Sequence, residues 1–385
     1  MSSETESPAD LAARPSTVLA GLAVLFLLLV FLTGVRGLGD GFKLLGGDLL
    51  DTFFVATANP FVALMVGLLA TTLVQSSSVT TSMVVGLVAA PENPLPLANA
   101  VPMIMGANIG TTVTNTVVAM AHLRRADEFR RAFSVATCHD FFNYLSVLVL
   151  LPLEMATGFL SRGAAALAGR LDVVGGSSFD SPLSSLLKAA VSPLRALAEA
   201  LFSASHGQGI VVVLASGALI LGALVLIVRV LHSALLSKTE HLIERSLGRS
   251  ALIAIAVGCL VTAMVQSSSI TTSLLVPLAG VGVITLRQAF PVTIGANIGT
   301  TLTALMASLA VAGPNAQAGI EIALTHLAFN LAGTVLIYPW APVRGFVLDL
   351  VRRFADLAAR SKILAIAYLL AIFYGLPALV AVLWN

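Results

Sequence analysis

The chain has 385 residues, of which 57% are hydrophobic and 10% charged, with a formal net charge of +2 and a mean hydropathy of +0.97. Apolar content on this scale exceeds what a soluble core needs and identifies a polytopic membrane protein. The near-neutral charge, without a basic tract, sets aside nucleic acid as a partner. Cys138 and Cys259 both fall in apolar segments, so they read as small buried hydrophobes rather than as a disulfide or a transition-metal site.

In chain order, the first candidate span is Ser16 to Val35. Its polar head carries Glu4, Glu6 and Asp10, and its apolar run is too long for a signal peptide, so it reads as a retained helix. An amphipathic stretch, Gly37 to Thr57, follows. Next comes VQSSSVTT, Val74 to Thr81. Residues 72–82 hold eight polar side chains in eleven positions, too many for each to hide by bonding back to its own helix. Irregular backbone at membrane depth is tolerated only where protein or a wet cavity satisfies it. In GANIGTT, Gly106 to Thr112, the glycines allow a helix to unwind or another backbone to approach closely. Crossings are expected over Leu97 to His122 and Ala132 to Leu153. Asp140 is the one carboxylate well inside a span and is a functional candidate by default. His139 and His326 read as buried, hydrogen-bonded rings. A long loop from Arg162 to Gln208 precedes a crossing over Gly209 to Val228. VQSSSITT, Val265 to Thr272, and a second GANIGTT, Gly295 to Thr301, come next, then a span over Ile320 to Pro339. Residues 343–362 carry Phe346, Leu350, Phe354 and Leu357 at helical spacing between basic residues, the pattern of a helix lying in the membrane interface. A last span covers Ile363 to Trp384.

The order of these landmarks is that of an internal repeat. Gln75 and Gln266 are 191 residues apart, Asn108 and Asn297 189, and His139 and His326 187, so two halves share one architecture with slightly different loops. The organisation expected is a tail, first transmembrane helix and interfacial helix over 1–52; repeat 1 over 53–160; an inter-repeat loop over 161–208; a linking helix and repeat 2 over 209–342; and an interfacial helix with the last transmembrane helix over 343–385. If each QSSS segment is a re-entrant hairpin, the three crossings counted between them turn the second copy upside down. Inverted repeats of this kind build a midplane substrate site from broken helices.

Half-helices that begin at such a break aim unpaired N–H groups and a positive dipole end into the cavity, where anions bind. Carbonyls at half-helix ends, with hydroxyl oxygens, suit Na⁺. No Asp, Glu, Lys or Arg lies within 55–90, 97–122 or 251–286, which favours sodium over a proton relay as the driver. The same features leave open a carrier of another small anion, such as a dicarboxylate or arsenate, and an uncoupled anion channel. An enzyme has no catalytic constellation behind it.

The paired QSSS and GANIGTT segments, with EFRRAFSVATCHDFFNYLSVLVLLPLE from Glu128 to Glu154, resemble the type II sodium-dependent phosphate cotransporter family over most of the chain, from about residue 53 to residue 339. The resemblance implies an all-α polytopic membrane protein with two inverted-topology repeats, each with a re-entrant QSSS helical hairpin and broken helices. It implies a multi-pass protein of the cell membrane that imports HPO₄²⁻ with Na⁺ by alternating access, with no cofactor beyond Na⁺ as coupling ion, with the lipid bilayer as surroundings and with room for a homodimer. Phosphate would be held by Gln75, Ser76, Ser77, Ser78, Gln266, Ser267, Ser268 and Ser269. Sodium would be held by Ser78, Thr80, Thr81, Asn108, Thr111, Thr112, Asn115, Asp140, Ser269, Thr271, Thr272, Asn297, Thr300 and Thr301. Asp140 matches the family aspartate associated with an additional Na⁺. The inter-repeat segment lacks the cysteines of animal members, and the soluble regulatory domain of some bacterial members is expected to be absent.

Overall fold

The structure, a computed structural model, describes residues 17–45, 54–90, 93–175, 182–246, 250–311 and 314–383, and the regular structure among them is helical. The protein is an all-α polytopic membrane protein: six of the described helices are long and apolar enough to cross a bilayer.

Helix α1, Thr17–Leu45, lies along α9, Ser205–Ser246. The part of the stretch from Gly37 expected to form a separate interfacial helix is instead the continuation of α1; residues 46–53 are outside the described residues. Within it Asp40 is buried and makes ion pairs to Arg36 at 3.8 Å and to Arg195 of α8, Pro182–Leu201, at 2.9 Å.

Repeat 1 contains α2, Pro60–Val74; α3, Ser77–Val88; α4, Leu97–Gly110; α5, Val113–Met120; and α6, Ala126–Thr157. Repeat 2 contains α10, Ala251–Val265; α11, Ser268–Gly280; α12, Leu286–Ala310; and α13, Ala316–Ile337. At about 1.5 Å per residue, α2, α3, α10 and α11 are each shorter than the ~30 Å hydrocarbon core, so each pair turns back as a hairpin. Asn59 caps α2 by accepting from the N–H groups of Phe61 and Val62, and Ser250 caps α10 by accepting from that of Ile253. The first arm of each hairpin lies against the GANIGTT helix of its own repeat, α2 on α4 and α10 on α12. The second arm crosses over, α3 to α12 and α11 to α5. Of the six long helices, α6 and α12 are the most enclosed.

Two further expectations change. The crossing over Leu97 to His122 is two helices broken at Thr111–Thr112, whereas the second GANIGTT runs unbroken through α12. The segment expected as an inter-repeat loop over 161–208 is largely helical in its described residues: α7, Phe159–Gly175, then α8, with α9 beginning before its end. Its glycine, serine and alanine content hid a periodicity. Leu160, Ala164 and Ala168 recur every four residues and are buried, as are Leu187, Val191 and Ala198. The joint between α6 and α7 is Gly158, at φ +62°, where the Glu154 carboxylate accepts from the N–H groups of Leu160 and Ser161. The parity count, which took this region as loop, is therefore replaced by the placement of helix ends described below.

Helix α14, Ala341–Arg360, packs on α6 through Val347, Leu348, Val351, Ala355 and Ala358. The apolar stripe expected there divides: Phe354 turns inward against Phe133 and Phe141, while Phe346 and Leu357 are exposed. The last segment is α15, Lys362–Leu370; a π turn, Ala371–Gly375; and α16, Leu376–Leu383, which rests on α2. Cys138 is buried in α6, while Cys259 is half-buried rather than fully enclosed.

Candidate functional site

Each hairpin tip is built by one glutamine and one serine. Gln75 takes a left-handed conformation, φ 59° and ψ 25°, and Ser76 an extended one, φ −153° and ψ 108°. Gln266 and Ser267 repeat this at φ 57°, ψ 25° and φ −152°, ψ 110°. A left-handed residue with a Cβ costs roughly 1–2 kcal/mol. Here the side chain offsets that cost by closing the end of the first arm. The Gln75 Nε2 donates to the Thr72 carbonyl at 2.6 Å and the Gln266 Nε2 to that of Ala263 at 2.5 Å, carbonyls the helix itself leaves open. The Gln75 Oε1 accepts from the Thr114 hydroxyl at 3.0 Å, and the Gln266 Oε1 from that of Thr303 at 2.9 Å, which clips each tip to the GANIGTT strand of helix in its own repeat. Ser76 and Ser267 then start the second arms as N-caps, their hydroxyls accepting from the N–H groups of Val79 and Ile270. Of the residues assigned to phosphate, these four are held by the fold in this way.

The remaining serines are differently placed. Ser77 and Ser268 are buried, Ser269 half-buried, and none of the three makes a side-chain hydrogen bond among the described residues. They lead their helices, where the first N–H groups lack a carbonyl one turn back. Ser78 bridges the hairpins: its hydroxyl lies 3.5 Å from the Gln266 carbonyl oxygen and 3.4 Å from the Thr303 hydroxyl. The two tips therefore meet. Their surroundings differ, since Gln75 is exposed while Gln266 is buried.

Most hydroxyls assigned to sodium donate back to their own helix: Thr80 to the Ser76 carbonyl, Thr81 to Ser78, Thr271 to Ser267, Thr272 to Ser268, Thr111 to Ala107, Thr112 to Ile109, Thr300 to Ala296 and Thr301 to Ile298. A hydroxyl that donates this way keeps lone pairs for a cation. Asn115 joins α5 to the second hairpin: its Oδ1 accepts from Ser273 at 3.1 Å and lies 2.9 Å from the Thr272 hydroxyl, whose one proton it shares with the Ser268 carbonyl.

The two GANIGTT asparagines sit apart from the tips, in a buried cross-link between repeats. The His139 Nε2 donates to the Asn297 Oδ1 at 2.6 Å, and the His326 Nε2 faces the Asn108 Oδ1 at 3.4 Å. The Asn297 Nδ2 donates to the Asn143 Oδ1 at 2.7 Å, and the Asn143 Nδ2 to the Asn108 carbonyl at 2.9 Å. Each histidine thus reaches the asparagine of the other repeat, an exchange expected of two halves related by a pseudo-twofold axis. The Nδ1 atoms of both rings have no partner, so the histidines are buried as expected but only half satisfied.

Asp140 is fully buried in α6. Its Oδ2 accepts from the Tyr368 hydroxyl of α15 at 2.6 Å, and Tyr368 shares a hydrogen bond of 2.9 Å with Tyr144. Its Oδ1 has no partner, and the hydroxyls of Thr112 and Thr116 lie beside the carboxylate. The Thr116 hydroxyl is also buried without a partner, as are those of Thr71 and Thr72 in the last turn of α2. Sequence reasoning did not assign Thr71, Thr72, Thr116 or Tyr368. The dense polar run beginning at Thr72 pointed to one of them; nothing local to Tyr368 did.

The family model described as Na⁺/Pi-cotransporter matches residues 30–167 and 219–379. Among curated relatives, the chain is similar to sodium-dependent phosphate transport protein 2A of Rattus norvegicus, 33% identical over 92% of this chain and 66% of the relative. It is similar to the 2A protein of Ovis aries, 34% identical over 94% of this chain and 67% of the relative. Against the 2B protein of Homo sapiens it is 32% identical over 93% of this chain and 64% of the relative. The chain thus spans about two thirds of the length of these relatives. No solved structure matches it significantly.

Proposed function

The chain belongs to the Na⁺/Pi-cotransporter family, and from this we propose that it imports inorganic phosphate across the cell membrane together with Na⁺. The observation that carries the proposal is the meeting of two like-built tips, where Ser77, Ser268 and Ser269 leave hydroxyls unused among buried surroundings. Phosphate, as a dianion, would take those hydroxyls and the leading N–H groups of α3 and α11. Na⁺ would take oxygens of the back-bonded threonines and of Asp140. Each ion lowers the electrostatic cost of the other, and linkage requires that the two raise each other's affinity by one common factor.

The placement of helix ends supports inverted repeats. The start of α4, at Leu97 and Ala98, shares a cleft with Leu151 and Glu154 near the C-terminal end of α6. The matching start of α12, at Leu286 and Arg287, shares a cleft with Arg130, Arg131 and Ser134 near its N-terminal end. Helix α6 has 32 residues, about 48 Å in length, so the two clefts lie far apart along it, as they would if matched helices began at opposite membrane faces. The exposed Gln75 against the buried Gln266 supports a state open toward the first tip alone; exchanging the two environments would open the other side.

Radiolabelled phosphate uptake into proteoliposomes, under an inward Na⁺ gradient or an equal K⁺ gradient, tests the reading. Accumulation above equilibrium with Na⁺ only is expected; equal uptake in both would sink it. Ser77→Ala and Ser268→Ala are each expected to cut uptake by about tenfold or more with yield unchanged, since each removes a hydrogen bond to a charged ligand. Wild-type uptake in both variants would remove the tips from the substrate site.

A further inference from the structure

The cleft at the start of α12 is lined by four arginines, Arg130, Arg131, Arg287 and Arg352, and by a single acidic residue, Asp356; its volume is about 440 Å³. Carboxylates reach two of the four: Arg130 lies 3.7 Å from Asp127 and 3.6 Å from Asp356, and Arg352 lies 2.7 Å from Asp349. The guanidinium of Arg131 donates to the carbonyls of Ala279 and Gly280, and Arg287 is exposed with no carboxylate partner among the described residues. A cationic excess therefore faces the cleft. Its depth is fixed by the elements around it. Arg130 and Arg287 stand in the opening turns of two spanning helices, and Arg352 and Asp356 belong to α14, whose outward face exposes Phe346, Leu357 and, just before the helix, Trp340. That combination marks the boundary between acyl chains and headgroups.

The other repeat supplies an internal control. The equivalent cleft, at the start of α4, has Ala98 where α12 has Arg287, and it is lined by Glu154 and Glu321 with one cation, Arg162. Duplication alone would give both clefts the same charge. One is basic and the other acidic, and they lie at opposite ends of α6. The arginines are thus a property of one membrane face and not of the repeat. Basic clefts between helices at the cytoplasmic face hold anionic lipid headgroups.

We infer that the cleft between the start of α12, the start of α6 and α14 binds the phosphate of an anionic phospholipid headgroup, with Arg287 and Arg352 contacting the lipid. This site is independent of what the chain transports, so failure of the phosphate reading leaves it standing, and the reverse.

The test uses the full chain in neutral detergent, titrated with phosphatidylglycerol or phosphatidylcholine, with bound lipid counted by native mass spectrometry. Phosphatidylglycerol is expected to be retained over phosphatidylcholine. The double variant Arg287→Gln, Arg352→Gln is expected to raise its apparent dissociation constant about thirtyfold, whereas Arg162→Gln in the opposite cleft leaves it unchanged. Arg287→Gln alone, at an exposed position without an ion pair, guards against misfolding and is expected to weaken binding about fivefold. Equal retention of both lipids, or phosphatidylglycerol binding unchanged in the double variant, overturns the proposal. Displacement of the lipid by millimolar inorganic phosphate, with the same arginine dependence, would also overturn it and make the cleft a site for the free anion.

Discussion

Under an inward Na⁺ gradient of about tenfold and no membrane potential, Asp140→Asn is expected to lower the limiting phosphate accumulation by about tenfold, because each coupled Na⁺ contributes one factor of its own concentration ratio. The argument starts from burial. Asp140 is fully buried, its Oδ1 has no partner, and its neighbours Thr112, Thr116 and Tyr368 are all neutral. A carboxylate so placed is costly unless a cation joins it. A Na⁺ between Oδ1 and the Thr112 and Thr116 oxygens would meet that need and would also engage the unpartnered Thr116 hydroxyl. Asparagine keeps the shape and one oxygen but loses the charge, so the ion is lost while the tips remain able to take phosphate. Tyr368→Phe separates binding from coupling. It removes the 2.6 Å hydrogen bond to Oδ2 yet leaves the charge, so the half-saturating Na⁺ concentration should shift while the accumulation limit stays at the wild-type value. An Asp140→Asn protein that reaches the wild-type limit would exclude Asp140 from the coupled ions.

The repeat and its two hairpins could be read from sequence because their cause is local. A glutamine that closes one helix and a serine that caps the next occupy adjacent positions, and duplication printed the pair twice. What escaped depended on distance along the chain. Tyr368 reaches Asp140 across 228 residues and His139 reaches Asn297 across 158, and no spacing announces either contact. The sodium role expected of Asn108 and Asn297 rests on their motif, and the contacts that join their side chains across the repeats are not legible in it. Helices α7 and α8 escaped for another reason: small residues bury well against α13 and α1 but carry too little hydrophobicity to stand out as a stripe. The same motif also behaves differently in its two copies. The helix breaks after the first GANIG and continues through the second, so the glycines serve something both copies share.

That shared role predicts the largest structural effect of a single methyl group. Gly106→Ala and Gly295→Ala are each expected to cost about 1–3 kcal/mol in overpacking and to abolish most uptake, with the double variant losing folded protein outright. A Cβ on Gly106 would land on the Leu64 carbonyl, and one on Gly295 on that of Ile255; both obstacles are backbone of the hairpin's first arm, which cannot turn aside as a side chain can. The arms answer with glycines of their own. Gly67 meets the Met103 carbonyl and Gly258 that of Val292, each eight residues before its tip glutamine. Four residues beyond Gly106 and Gly295, Gly110 and Gly299 extend the contact along the same helix face, the small-xxx-small arrangement that lets helices in lipid approach backbone to backbone. Forcing these helices apart would open the clips from Gln75 to Thr114 and from Gln266 to Thr303, so the tips would lose their geometry even where the chain still inserts. Gly222→Ala in α9, where an added Cβ meets nothing within 4 Å, is the control and should leave thermal unfolding and uptake unchanged. Wild-type thermal stability in both Gly106→Ala and Gly295→Ala would mean that the crossings relax freely, and the tips would then have to be held by the glutamine clips alone.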